Sequence, residues 1–214
     1  MAVRVKICGL TRAEDVEVSA GAGASYLGVV FAAGPRTVTP TQAHELVAAA
    51  AGLPMLGVFA GQPVPEILQI CRQAGLSGAQ LHGQYSRSDA RQLRAEGLEV
   101  WRVVRIAAPA DLDLLIPAMS HSDAVLVEPR VTGALGGSGV ALSLAVAREA
   151  RSRLAGHAMV LAGGLTPNTV TEALDLVHPD VVDVSSGIEQ CPGLKDRDKI
   201  LNFVEAVVAH SPIT

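Results

Sequence analysis

Short runs of β-branched and other apolar residues alternate along the whole chain with longer stretches in which Ala, Leu and Val recur at helical spacing. The runs Val3–Ile7, Tyr26–Phe31, Met55–Phe59, Gly78–Leu81, Glu99–Val104, Ala124–Val127, Ala158–Leu161 and Val181–Val184 read as strands. Helical patterns follow them near Arg12–Ala22, Pro40–Ala51, Pro63–Ala74, Ser86–Glu96, Ala110–Met119, Ala141–Leu154, Pro167–Leu176 and Asp196–Ala209. Thr39-Pro40 and Thr166-Pro167 add start signals, a hydroxyl placed to cap and a proline at the first helical position. Eight strand–helix units of about 27 residues each predict an α/β fold, a single (βα)8 TIM barrel spanning residues 1–214, with little room for an added domain. An open doubly wound sheet uses the same alternation, but the first turn, Cys8-Gly9-Leu10-Thr11-Arg12, lacks the glycine-rich pyrophosphate cradle of that fold.

Composition narrows the function. With 49% hydrophobic residues in 214, the chain can bury one sizeable core. A formal charge of −4 and only three Phe, two Tyr and one Trp leave neither a basic stripe nor stacking platforms, so no nucleic-acid partner is expected. No stretch approaches the roughly 18 apolar residues of a membrane span, and the N-terminal run carries Arg4 and Lys6, unlike a signal peptide. Cys8, Cys71 and Cys191 are too far apart for a zinc spacing and odd in number for a disulfide framework, which suits a reducing cytoplasm. Neither a metal site nor a cofactor motif is expected.

The candidate chemistry gathers where strands end, the catalytic rim of such a barrel. Cys8 follows the first strand, and as a base it needs a thiolate, which nearby positive charge favours. Alternation puts Lys6 on the same face as Cys8, and Asp183 would come beside it when the eighth strand closes on the first. A buried lysine needs such a partner, so a Lys6–Asp183 pair is expected inside the barrel. Glu128 ends the sixth strand, where a carboxyl opposite a thiol supplies the two groups that proton transfer requires. Arg36 follows the second strand as a candidate two-pronged clamp for a carboxylate, and His82 closes the fourth. Gly163-Gly164 and Ser185-Ser186-Gly187, after strands seven and eight, offer backbone N–H groups to a phosphate.

The segments Val5-Lys6-Ile7-Cys8-Gly9, Gly34-Pro35-Arg36, Gln80-Leu81-His82-Gly83, Gly136-Gly137-Ser138-Gly139, Leu161-Ala162-Gly163-Gly164-Leu165 and Asp183-Val184-Ser185-Ser186-Gly187 occur in the order found in one family. Over nearly its whole length the chain resembles the phosphoribosylanthranilate isomerases of tryptophan biosynthesis. The resemblance implies a (βα)8 barrel without metal or organic cofactor that performs an Amadori rearrangement of a small phosphorylated substrate. It implies Cys8 as general base, Glu128 at the position of the general acid, Arg36 on the substrate carboxylate, and Gly164, Ser185 and Ser186 against the phosphate. His82 and Asp183 join the substrate-binding set.

Two departures from the family pattern stand near the acid. Glu128 replaces the family's aspartate, and Leu142-Ser143-Leu144 replaces the Phe-Asp-Trp that usually follows the Gly-Gly-Ser/Thr-Gly loop, with Ser143 still placed to cap the next helix. The alternatives are a barrel that isomerises another phosphosugar amine and a silent barrel that only binds a phosphorylated ligand. Both monomer and homodimer fit the pattern. Cys191 falls in the loop after strand eight, where oxidation to Cys8 would require Cα atoms within about 7 Å.

Overall fold

Most strand residues of the barrel are buried on both faces, which is why the runs read as continuously apolar with little alternation. A computed structural model describes residues 2–131 and 139–210, so Gly136, Gly137 and Ser138 of the Gly-Gly-Ser-Gly segment lie outside the described residues. Strands β1 (Arg4–Ile7), β2 (Tyr26–Val30), β3 (Met55–Ala60), β4 (Gly78–His82), β5 (Glu99–Ile106), β6 (Ala124–Pro129), β7 (Ala158–Ala162) and β8 (Val181–Val184) form one closed parallel barrel. Closure is made by β1 on β8, with Lys6 opposite Asp183. The predicted barrel is the observed one.

The interior is filled by Tyr26, Leu56, Trp101, Leu126, Val160 and Val181, with Tyr26 and Trp101 packed edge to face at 4.9 Å between ring centroids. A larger apolar layer lies between sheet and helices. Helices α1 (Ala13–Ala22), α2 (Pro40–Ala49), α3 (Val64–Ala74), α4 (Arg87–Ala95), α5 (Leu115–Met119), α6 (Leu144–Arg153), α7 (Val170–Val177) and α8 (Arg197–His210) form the outer ring. In α3, Val64, Ile67, Leu68, Cys71 and Ala74 face inward at the i, i+3, i+4, i+7 spacing that fixed its prediction. In α8, Ile200, Phe203, Val204 and Val207 do the same. No described helix is long and apolar enough to cross a membrane.

The structure corrects four expectations. The fifth helix is one short α-turn preceded by a 3-10 turn over Pro109–Leu114, because Asp111 turns its carboxylate back onto the N–H groups of Ala107 and Ala108 at 2.8 and 3.0 Å. Pro167 does not open α7: residues 167–169 form a turn in which the Thr169 and Val170 N–H groups reach the Thr166 carbonyl, and the helix begins at Val170. Ser143 does occupy the N-cap position of α6, but its side chain makes no capping hydrogen bond. The stretch after β8 is also more than a loop. A 3-10 turn over Ser186–Ile188 leads into a hairpin of β9 (Glu189–Cys191) and β10 (Leu194–Lys195), turned at Pro192-Gly193.

Candidate active site

Inside the barrel, beneath the rim, Lys6 is fully buried and its Nζ lies 2.9 Å from Asp183 Oδ1. The pair follows from the β1–β8 register, and it answers the requirement that a buried ammonium have a charged partner. Burial, the largest single influence, would lower the Lys6 pKa, but Asp183 and Cys8 together outweigh it and hold the ammonium protonated.

Cys8, immediately past β1, is buried just above this pair. Burial pushes the thiol above its ordinary value, against the pull of the Lys6 charge, so the resting group is a thiol with a cation at hand. A Cβ on Gly28 of β2 would stand 2.9 Å from Cys8 Sγ and 3.1 Å from Lys6 Nζ. The strand therefore needs glycine there for thiol and ammonium to share the space.

Glu128, in β6, is 6% exposed, and burial pushes its carboxyl up to about 7, with Arg105 and Lys6 pulling down and Asp183 pushing up. Its Oε1 lies 3.7 Å from His82 Nδ1 and 3.3 Å from Arg105 Nε. His82, the last residue of β4, is neutral because burial lowers its pKa to about 3. The Gln80 amide N–H, 3.0 Å from His82 Nε2, is a donor, so the network assigns Nε2 as acceptor and puts the ring proton on Nδ1, the edge facing Glu128.

A recess on the same rim is lined by Glu128, Asp183, Gly163, Gly164, Ser185 and Ser186. A Cβ at Gly187 would run into the Leu165 carbonyl, so the loops after β7 and β8 can lie this close only with glycine there. Asp183 thus serves two surfaces, with Lys6 below and the recess above.

The sequence matches the family described as N-(5'phosphoribosyl)anthranilate (PRA) isomerase over residues 5–206. An N-(5'-phosphoribosyl)anthranilate isomerase of Paramagnetospirillum magneticum is 36% identical, with 99% of this chain and 100% of that protein covered. The crystal structure of the phosphoribosyl anthranilate isomerase of Thermotoga maritima superposes with a TM-score of 0.88 at 31% identity, covering 97% of this chain and 99% of that one. The chain belongs to the phosphoribosylanthranilate isomerase family. Membership makes it an isomerase of tryptophan biosynthesis. Another isomerase structure of the family, solved in complex with reduced 1-(o-carboxyphenylamino)-1-deoxyribulose 5-phosphate, has a TM-score of 0.84 at 30% identity and covers 97% of this chain and 99% of its own.

In this barrel Arg36 is engaged by a carboxylate of its own chain. Its Nε and Nη2 donate to Glu189 Oε1 and Oε2 at 2.8 and 2.6 Å, a two-pronged pair with a protein carboxylate. Glu189 is also held by Lys195, whose Nζ lies 3.0 Å from Oε1 and donates to the Cys8 carbonyl at 2.6 Å and the Ser185 carbonyl at 3.1 Å. The hairpin carrying both residues thus ties the Cys8 turn to the Ser185 turn. Cys8 and Cys191 are both free, and Cys191 is exposed on the hairpin.

Sequence reasoning missed Glu189, Lys195, Gly28, Gln80 and Arg105. Two of these had a signal. Arg105 lies four residues along β5 from the interior Trp101 and so shares its parity, and Gln80 has the parity of His82 in β4. Pro192-Gly193 was a turn signal for the hairpin, yet nothing in it names Arg36 or Cys8 as the partners.

Proposed function

We propose that the barrel converts N-(5'-phosphoribosyl)anthranilate to 1-(2-carboxyphenylamino)-1-deoxyribulose 5-phosphate, with Cys8 as general base and Glu128 as general acid. The observation that carries this reading is that a buried thiol, Cys8, and a buried carboxyl, Glu128, stand at the C-terminal ends of β1 and β6 on one rim, with the buried Lys6–Asp183 pair inside the same barrel. Glu128, held near 7, has a proton to give at neutral pH. It protonates the furanose ring oxygen as the C1–O bond breaks, and the anthranilate nitrogen lone pair forms the C1–N double bond. The Cys8 thiolate then removes the C2 proton, and the electron pair moves into a C1–C2 double bond to give an enolamine. Reprotonation at C1 and loss of the O2 proton deliver the ketone. The electron sink throughout is the imine.

The substrate phosphate is placed against Gly164, Ser185 and Ser186, where the recess offers backbone N–H groups and hydroxyls. Arg36 receives the anthranilate carboxylate by releasing part of its fork from Glu189, which Lys195 continues to hold. His82 stands beside the acid as a neutral imidazole. The setting we propose is the cytoplasm.

Turnover of N-(5'-phosphoribosyl)anthranilate, followed as loss of substrate fluorescence, tests the pair. Cys8→Ser and Glu128→Gln are each expected to lose on the order of 10²- to 10⁴-fold in kcat, the usual worth of a positioned acid or base. Glu128→Asp keeps the acid but withdraws it by a methylene, and a displacement near 1 Å costs about 100-fold. Wild-type rates in Cys8→Ser would sink the assignment.

A further inference from the structure

None of these steps uses Arg105, the residue opposite Glu128 in the β5–β6 register. That register runs on through Ile106 and Pro129, whereas the pairing of β6 with β7 stops at Val127 and Leu161. The end of β6 that carries Glu128 is therefore held by strand pairing from the β5 side alone. β5 supplies the side-chain support as well. Arg105 Nε stands 3.3 Å from Glu128 Oε1, a charge contact outside hydrogen-bond alignment, and its Nη2 donates to the Val131 carbonyl at 3.1 Å, so one guanidinium reaches both the acid and the backbone three residues beyond it.

The other groups facing Glu128 cannot take this part. His82, from β4, is neutral, and its Nδ1 is 3.7 Å away. Lys6, from β1, is paired at 2.9 Å with Asp183, from β8, and the two act on Glu128 in opposite senses. Arg105 lies nearer than His82 and is only 21% exposed at its side chain, so its charge is weakly screened. A glutamate has one more rotatable bond than an aspartate and needs more restraint to hold its oxygens in a reacting position.

We propose that Arg105 is a positioning residue for Glu128: it aims the carboxyl from the neighbouring strand and sets the pH range over which that carboxyl gives up its proton. The proposal rests on Glu128 being the acid. Its consequence for rate is specific. The productive state holds one proton between Glu128 and Cys8, on the acid and not on the thiol, so kcat/KM rises through the Glu128 titration and falls through that of Cys8. An adjacent cation favours the carboxylate, so removing it moves the lower limb to higher pH.

The test is the pH profile of Arg105→Gln, which keeps an N–H for the Val131 carbonyl and loses the charge, beside Arg105→Lys and Glu128→Gln. Ionisation of the substrate phosphate is common to all and cancels in the comparison. In Arg105→Gln the lower limb is expected to move up by about one pH unit, the scale of one nearby opposite charge. Its plateau kcat should fall about 10-fold or more, with KM changed less. Arg105→Lys is expected to keep the limb near its wild-type place, and a lysine variant displaced as far as the glutamine one overturns the charge argument. A folded Arg105→Gln with an unmoved limb, alongside an inactive Glu128→Gln, overturns the role of Arg105 and leaves the acid in place. Wild-type turnover in Glu128→Gln removes the acid assignment itself, and the proposal with it.

Discussion

At Gly28 the absence of a side chain decides what its neighbours can do. The Cys8 sulfur and the Lys6 ammonium occupy the space a methyl group would need, at 2.9 and 3.1 Å from the Cβ position. Gly28→Ala must therefore displace the thiol, since Lys6 is fixed by Asp183 beneath. Overpacking of this kind costs about 1–3 kcal/mol in stability. The larger effect is expected on catalysis, because a shift near 1 Å in a reacting group is worth about 100-fold in rate. Steady-state kinetics beside thermal unfolding separate the two, and a Gly28→Ala protein with wild-type kcat would show that the thiol position is not critical. Residue identity made Cys8, Asp183 and Glu128 visible in the sequence, because each is a chemically reactive type at a strand end. Gly28 was invisible, since a glycine within a strand declares nothing about which side chains lean over it.

Elements show the same division between what is local and what is not. Strand positions and the Lys6–Asp183 pair were legible, because period-two alternation and closure of strand eight on strand one fix parity. A capping hydroxyl read from the sequence does its work where the cap chemistry is local and complete. Thr39 has it: its Oγ1 accepts from the Gln42 N–H at 3.2 Å, and Gln42 Oε1 accepts from the Thr39 N–H at 2.9 Å. Ser143 stands at the equivalent place before α6 and makes no such bond. Thr39→Ala is accordingly expected to cost about 1 kcal/mol in urea unfolding, whereas Ser143→Ala should stay within about 0.5 kcal/mol. Equal losses in the two variants would refute the distinction. The hairpin after β8 was not legible, because its two short strands are held largely through Glu189 and Lys195 to Arg36, Cys8 and Ser185, contacts from distant parts of the chain. For the same reason Arg36 could be read as a carboxylate binder while its carboxylate in the folded chain, Glu189, could not be named.

For the molecule as a whole, the rim carries groups that the fold would be more stable without. Glu128 is the clearest, since a carboxyl 6% exposed is being ionised in a place that resists charge. Its folded pKa of about 7 lies above the ordinary 4.5, so the folded state keeps this proton to higher pH than the unfolded chain does. The stability this contributes is present below the unfolded value and is lost as pH rises through the folded one. The difference is of the order of 3 kcal/mol between pH 4.5 and pH 8. Glu128→Gln carries a neutral group of nearly the same shape and has no such dependence. The stability of the variant minus that of the wild type should therefore grow by about that amount from pH 4.5 to pH 8, read by urea unfolding at each. His82 works the other way, since burial holds it neutral down to about 3 and its contribution is lost as pH falls below 6.5. It is present in both proteins, so the comparison removes it. A difference that does not change with pH would mean that Glu128 is ordinary in the folded protein and carries no proton poised for transfer near neutrality. A variant that gains stability at pH 8 while losing turnover would show that this barrel gives up stability to keep its acid buried.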